Sequence, residues 1–429
     1  MLAYKDKECF VVEYDVAIIG AGPAGLAAAQ RLKGNGLHSI LIDQGRAIQK
    51  RDKDIEEELT QGHGGAGLYS DGKFSFFPSA SHLWDLPQQD ALHAAYDWTC
   101  NLLTSYGLDT PPFPDHPKAY TVGSGEWMLK DYPSDYLSLQ ARLELITQLV
   151  QSTESDILTD TQVSHYRYLP EHDYFEFTLT DGKDSFKTLH VRRVIVASGR
   201  FGPLGIPDKS RQSFRRLEVG FRIEQPHDLS FFGNMSQLDP KLKFQLGSGE
   251  VEWRTFCACR GGETVLTQTL GLWTVSGHSD GPYSGRSNVG FNTRVLDEGI
   301  AKEALPAVLE ALSKSESHFR VKLQDVLNMD SESATRLKNI YGEKLMNLML
   351  DGIKSLMKKF PIIDHPETRL IGPTLEGIGW YPEVNGELRM PDSPVWVAGD
   401  ACGLFRGIVA AFISGHYAAS SVLADLKRG

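Results

Sequence analysis

At 429 residues the chain exceeds one typical domain and suits two or three. Its net charge of −11, from 44 basic and 55 acidic side chains, argues against nucleic-acid binding through a basic surface. Five cysteines are too few for a disulfide framework, residues 1–10 lack the apolar core of a signal peptide, and no stretch reads as a membrane span; a cytoplasmic setting is the default expectation.

Residues 15–19 are an apolar, β-branched run, the pattern of a strand buried on both faces. Gly20, Gly22 and Gly25 follow at the Gly-x-Gly-x-x-Gly spacing and enclose Pro23 and Ala24. In that spacing the first glycine permits a tight turn, the second lets backbone approach a pyrophosphate, and the third lets the next helix pack on the strand. Residues 26–32 are strong helix formers and begin that helix. Its N-terminus offers N–H groups and the positive end of the helix dipole to phosphates. Residues 39–43 read as a second strand ending in Asp43, where an acid can hydrogen-bond ribose hydroxyls; Gln44 follows it.

The loop 61–73 is dense in glycine, with Gly64, Gly65, Ala66 and Gly67 at its centre and Lys73 at its end. Residues 82–150 look largely helical, with a proline-rich loop at 111–114. Residues 174–182 alternate and end in Asp181 and Gly182, so they read as a hairpin strand whose partner is 188–192. Residues 193–199 read as a further buried strand, ending in Ala197, Ser198 and Gly199. The stretch 205–385 is too long for a loop: its first half holds strand-like runs such as 217–223 and 266–275, and its second half, 298–360, is helical by pattern. Residues 393–400 form a last buried strand ending in Gly399 and Asp400, and a helix of small and apolar residues starts after Gly407 with Ile408.

The glycine turn near one end and the Gly399–Asp400 element near the other together resemble flavoproteins with a glutathione-reductase-type FAD domain. That resemblance implies FAD as cofactor, with Asp400 on the ribityl chain and the helix after Gly407 aimed at the isoalloxazine ring. It also implies that Ala197, Ser198 and Gly199 stand in the place of an "ATG" strand, that backbone at Val163 meets the adenine, and that the 64–67 loop passes the isoalloxazine, bringing Lys73 near flavin or substrate. A narrower resemblance, to a family of FAD-dependent dehydrogenases, rests on three stretches: 64–73; Arg254 to Cys257 with Gly261 and Gly262; and Ser284 to Asn288. Arg260 stands where that family leads one to expect proline.

The expected fold is therefore α/β: a discontinuous, Rossmann-like, glutathione-reductase-type FAD-binding domain (13–204, with the helical segment 82–150, and 386–429) carrying an inserted α+β substrate domain (205–385). His278, Tyr283, Arg254, Arg286 and Lys73 are the candidate catalytic or substrate-contacting residues. An arginine can hold a carboxylate through two hydrogen bonds, and a histidine or tyrosine can take a proton as hydride leaves for flavin. Cys257 and Cys259, at C-x-C spacing, lack the C-x-x-C of a redox dithiol and read as buried structural thiols. No second Gly-x-Gly-x-x-Gly follows a strand within 205–385, and no metal-ligand spacing is present. The expected activity is an FAD-dependent oxidoreductase of dehydrogenase or oxidase type, acting on a small molecule and reoxidised by oxygen, a quinone or another protein. Two alternatives are a flavin monooxygenase using NAD(P)H transiently and a non-catalytic protein that holds FAD to sense or to recruit partners.

Overall fold

The computed structural model describes residues 13–115, 126–130, 132–182, 186–205, 211–246, 248–329 and 331–428. Residues 1–10, read above for a leader, lie outside the described residues, as does Cys9. The first stretch runs β1 (Tyr14–Ile19), α1 (Pro23–Leu32), β2 (Ser39–Ile42), α2 (Gly65–Leu68), β3 (Lys73–Ser75), α3 (Gln89–Thr104), β4 (Met128–Lys130), β5 (Ser134–Tyr136), α4 (Leu139–Ser152), β6 (Asp156–Leu158), β7 (Gln162–Leu169), β8 (Tyr174–Thr180) and β9 (Phe186–Val196). Next come β10 (Gln212–Pro226), β11 (Lys241–Gln245), β12 (Val251–Cys259), β13 (Glu263–Thr269), β14 (Leu272–His278) and β15 (Arg286–Val295). The chain ends through α5 (Glu298–Leu312), β16 (Phe319–Lys322), α6 (Leu323–Leu327), α7 (Glu332–Lys359), β17 (Arg369–Pro382), β18 (Val395–Val397) and α8 (Ile408–Arg428).

Two large sheets organise these elements. The first has the order β6-β2-β1-β9-β8-β7, with β18 also pairing β9. The central part of β1 is apolar because both faces are covered: Val16, Ala17 and Ile18 are fully buried. β9 takes a double part. Its first half pairs antiparallel with β8, and its second half runs parallel to β1 and β18. The hairpin strand and the buried strand read separately from the sequence are thus one continuous strand, since nothing between Arg192 and Arg193 breaks the extended backbone.

The second sheet has the order β16-β17-β10-β15-β12-β11-β4 and is antiparallel throughout its described pairings. Its last strand, β4, comes from the stretch expected to be helical; α3 and α4 are helices, but β4 and β5 lie between them. On β10 the apolar residues Leu217, Val219, Phe221 and Ile223 recur at every second position and so share one face. With Val308 of α5 and Leu345, Met349 and Ile353 of α7 they form one buried core. The hairpin β13–β14 leaves this sheet and rests on the first unit, where Gln268 N donates to Glu56 O at 3.1 Å and Thr60 Oγ1 donates to Gln268 O at 2.8 Å. α8 is long and apolar enough to cross a membrane by length and composition alone, yet 72% of its apolar window is buried inside the protein.

Candidate functional site

The glycine turn joins β1 to α1. Gly20 adopts φ +106° and its N–H donates to Ile42 O at 2.7 Å. A Cβ on Gly25 would lie 1.8 Å from Gly20 O, so only glycine lets α1 begin this close to the strand. The N-terminus of α1 has Pro23 in its first turn, no acidic residue there and no side-chain cap. Its positive end is thus left to whatever anion approaches Gly22 and Ala24.

Asp43 ties this turn to its neighbours. Its carboxylate accepts from Ala21 N (2.6 Å), Gly45 N (2.8 Å) and Gly62 N (3.0 Å). A carboxylate offers about four lone-pair directions, so one remains for a ribose hydroxyl. The loop after it lies on the turn, with Gly64 N donating to Ala21 O at 2.8 Å, and Gln44 Nε2 bonds Gln61 Oε1 at 2.7 Å. Thr161 N donates to Asp43 O at 3.1 Å, which brings Val163, at the start of β7, to the same end of the sheet. Ala197 N donates to Ile19 O at 2.8 Å, so Ser198 and Gly199 also follow at that end.

At the other end of the site β18 leads into Gly399, whose N–H donates to Ser414 Oγ on α8 at 3.0 Å, and then into Asp400. Asp400 Oδ2 accepts from Arg406 Nε at 3.1 Å, whereas Oδ1 is buried with no hydrogen-bond partner among the described residues. Leaving a buried anionic oxygen without a donor is expensive; a ribityl hydroxyl is the kind of donor that fits it. Gly407, at φ +104°, has nothing within 4 Å of where a Cβ would be, which leaves the approach to Ile408 and the start of α8 open. Cys402 donates to Gly399 O at 3.2 Å, and burial pushes its thiol up to about 12, so it packs as a neutral residue.

The second sheet meets this end with its charged face. On β10 that face carries Arg216, Glu218, Arg222 and Glu224, the residues alternating with the apolar core set. Glu218 is completely buried and is the hub. It accepts from Arg216 Nε (2.5 Å), Arg254 Nη2 (2.6 Å), Arg294 Nε (2.8 Å), Arg406 Nη1 (3.1 Å) and Asn292 Nδ2 (3.2 Å). Burial alone would raise its pKa; Arg254, Arg294, Arg406 and Arg216 outweigh that and hold it well below the usual carboxylate range. Arg406 links the hub to the first sheet, since it also bonds Asp400 and Glu376; Arg200 joins Glu376 at 2.7 Å.

A second cluster lies where β3 meets β12. Lys73 pairs with Asp71 at 3.1 Å and also bonds Ala258 O. Burial opposes its charge, but Asp71 above all keeps its pKa raised, so it is a fixed cation. Arg142 of α4 holds Leu68 O (2.7 Å) and Ser70 O (2.9 Å) and pairs with Asp280, which Tyr136 also bonds. His278 stands near Asp280, Arg142 and Arg222, and burial lowers its pKa to about 4, so it is neutral at pH 7. Cys257 sits at φ +49° in a bulge of β12 and does not share a simple strand face with Cys259. Burial raises the Cys257 thiol, and Cys259 Sγ lies 3.7 Å from Arg222 Nη2.

The five candidate residues therefore do not form one group. Arg254 belongs to the Glu218 hub, and Lys73 and His278 to the second cluster. Arg286 lies at the far end of β15, bonded to Glu224 at 2.6 Å alongside Arg320. Tyr283 is 71% exposed, with its ring against Gly261 and His227, which places it at the surface and not in the buried network. Glu218, Arg294, Arg406 and Arg142 were not singled out from the sequence. The signal available for the first was a charge at every second position of an otherwise apolar strand.

A family described as FAD binding domain matches residues 13–53, the span of β1, the glycine turn, α1, β2 and Asp43. No curated protein sequence matches the chain. Among solved structures, a flavoprotein/dehydrogenase from Cytophaga hutchinsonii is similar at 12% identity and a TM-score of 0.44, over 96% of this chain and 79% of that one. The myxobacterial chondrochloren halogenase CndH, an FAD-dependent halogenase, is similar at 12% identity and a TM-score of 0.42, over 97% and 76%. The p-nitrophenol 4-monooxygenase PnpA of Pseudomonas putida is similar at 12% identity and a TM-score of 0.38, over 98% and 82%. The strand, glycine turn, helix, strand and acid of residues 13–53 are thus an FAD-binding unit, within a mixed α/β fold, and FAD is the cofactor of this chain.

Proposed function

We propose that this FAD-dependent oxidoreductase binds a small organic substrate between the Asp400 end of the first sheet and the charged face of the second. One observation carries the reading: Arg406 bonds both Asp400, whose Oδ1 is buried without a donor, and the Glu218 hub. A charged sheet face whose carboxylates are buried is a poor device for stability alone, and it lies beside the residues that fit a ribityl chain. The glutathione-reductase type of the nucleotide fold and the substrate-domain role of the second sheet belong to this proposal. FAD, held by Gly20, Gly22, Gly25, Asp43 and Asp400, would supply the redox chemistry, while the protein supplies orientation and electrostatics.

At neutral pH the surrounding side chains hold and polarise more readily than they move protons. Lys73 stays cationic, His278 stays neutral, and the Cys257 and Cys402 thiols stay protonated. That inventory suits a dehydrogenase-type exchange with a substrate whose polar groups are oriented by arginine. A monooxygenase using NAD(P)H transiently would draw on the same residues. Neither reading needs a resident nicotinamide nucleotide: among the described residues the second sheet is antiparallel and contains no parallel strand–helix–strand unit. The test is the absorbance spectrum of the purified protein after addition of FAD. A flavin spectrum that stays with the protein through gel filtration is expected, and a colourless protein overturns the reading. Rapid reduction by NADPH only when an aromatic substrate is present would select the monooxygenase.

A further inference from the structure

The side chains that join the two sheets lie in two electrostatic layers. The inner one is anionic: the side chains of Glu218, Glu252 and Glu376 are 0%, 4% and 9% exposed. The outer one is cationic: Arg216, Arg294, Arg254, Arg406 and Arg200 are 14%, 18%, 24%, 25% and 31% exposed. Even with Asp400 added to the carboxylates, the five guanidiniums exceed the anions by one, and Lys243, paired with Glu252 at 2.5 Å, adds another cation. What reaches toward solvent between the sheets is therefore positive.

One guanidinium donor in this layer, on Arg254, and one beside it, on Arg215, have no partner among the described residues. Arg254 makes one hydrogen bond, from Nη2 to Glu218, and its Nε is buried without a partner. Arg215 Nε, next to Arg216, is likewise buried without a partner. The crowding also weakens neighbouring cations. Burial, together with Lys241, Lys243, Arg254 and Arg294, lowers Lys130 to about 8; burial and Arg254 lower Arg294 to about 10. Cations packed this closely, with donors to spare, are stabilised by an added anion.

We propose that this layer is an anion subsite for the substrate, which carries a carboxylate held by Arg254 through Nε and an unused Nη hydrogen, with Arg294 and Arg216 beside it. The proposal rests on the reading of this interface as the substrate site. It excludes Arg286, whose guanidinium is already held by Glu224 and by Glu367 O. It also sets the substrate anion apart from the phosphates of the cofactor, which belong at the N-terminus of α1.

The experiment compares acids with their uncharged isosteres on the FAD-loaded protein. Acetate, succinate, benzoate and isophthalate are matched with acetamide, succinamide, benzamide and isophthalamide at constant ionic strength. Melting temperature and the flavin absorbance spectrum are read together. At least one acid is expected to raise Tm and perturb the spectrum while its amide does neither. Arg254→Gln and Arg294→Gln should each weaken that acid by at least about tenfold, the loss of one charge-assisted hydrogen bond. Arg254→Lys, which keeps the charge and loses the fork, should weaken it too. Arg167→Gln, on the outer surface of the first sheet, should leave it unchanged. No acid acting differently from its amide, or an acid effect that persists in both glutamine variants, overturns the proposal. The two readings fail separately. A colourless protein that still distinguishes acid from amide through Arg254 sinks the flavin reading alone; a yellow protein indifferent to every acid sinks the anion subsite alone.

Discussion

The two faces of β10 are both buried, and they could hardly be more different. Leu217, Val219, Phe221 and Ile223 point under α5 and α7, where packing alone accounts for them. Glu218 and Arg222, on the other side of the same strand, are 0% and 1% exposed and lie among guanidiniums, amides and carboxylates. A sheet that needed only to be stable would do as well, or better, with apolar groups on both faces. Ordinary burial therefore does not distinguish the scaffold from the proposed site in this molecule; the chemistry of what is buried does.

The two faces separate most clearly when one residue is removed from each. Glu218→Ala leaves four arginines around an uncompensated space and should cost about 3–5 kcal/mol in urea unfolding at pH 7. Phe221→Ala should cost a similar 3–5 kcal/mol by opening a cavity. pH tells them apart. Because the pKa of folded Glu218 is depressed, its contribution is present above the ordinary carboxylate range and is lost as pH falls through the lower folded value. The gap between wild type and Glu218→Ala should therefore close in strong acid, while the gap to Phe221→Ala persists.

A smaller effect sharpens the functional side. Asp400→Ala should weaken FAD by about 1.5–3 kcal/mol, the range of a hydrogen bond to a charged group, as read by flavin fluorescence titration. Phe221→Ala should leave FAD affinity unchanged if its face is scaffold only.

Next in size is a proton effect shared by the two units. Burial lowers both His278 and His416 to about 4. The unfolded chain takes up these protons first, so stability should fall as pH drops from about 6.5 toward 4, by up to about 3 kcal/mol for each histidine. His278→Gln and His416→Phe should each flatten that slope in thermal melts. The smallest effect is at the surface: Arg167→Gln breaks the exposed pair with Glu176 and should stay within about 0.5 kcal/mol of wild type.

Much of the nucleotide end was legible because its chemistry is local. Gly20, Gly22, Gly25 and Asp43 lie within one strand–helix–strand passage, and the spacing itself states the geometry. The Glu218 hub was not legible for the opposite reason. Its partners Arg254, Arg294 and Arg406 lie 36, 76 and 188 residues away, and no short motif spans such distances. The alternation around Glu218 looks like a strand with one wet face; side chains from distant strands and from the segment before α8 make that face dry. Tyr283 misled because a short polar run looks the same whether it lines a site or caps a surface turn. The bulge at Cys257 was hidden too, since a non-glycine residue at positive φ leaves no reliable mark in the sequence.

The pairing of α1 with α8 also sets a schedule. Arg31 on α1 donates to Ser420 on α8 at 2.9 Å, across 389 residues of chain. At about 5–20 residues per second of synthesis, α1 waits roughly 20–80 seconds for the helix that covers it. During that interval the apolar residues of the nucleotide unit that α8 will bury have no permanent cover, although their own local structure can already form. The arrival of α8 is thus what ends the period in which the nucleotide unit is most exposed to aggregation.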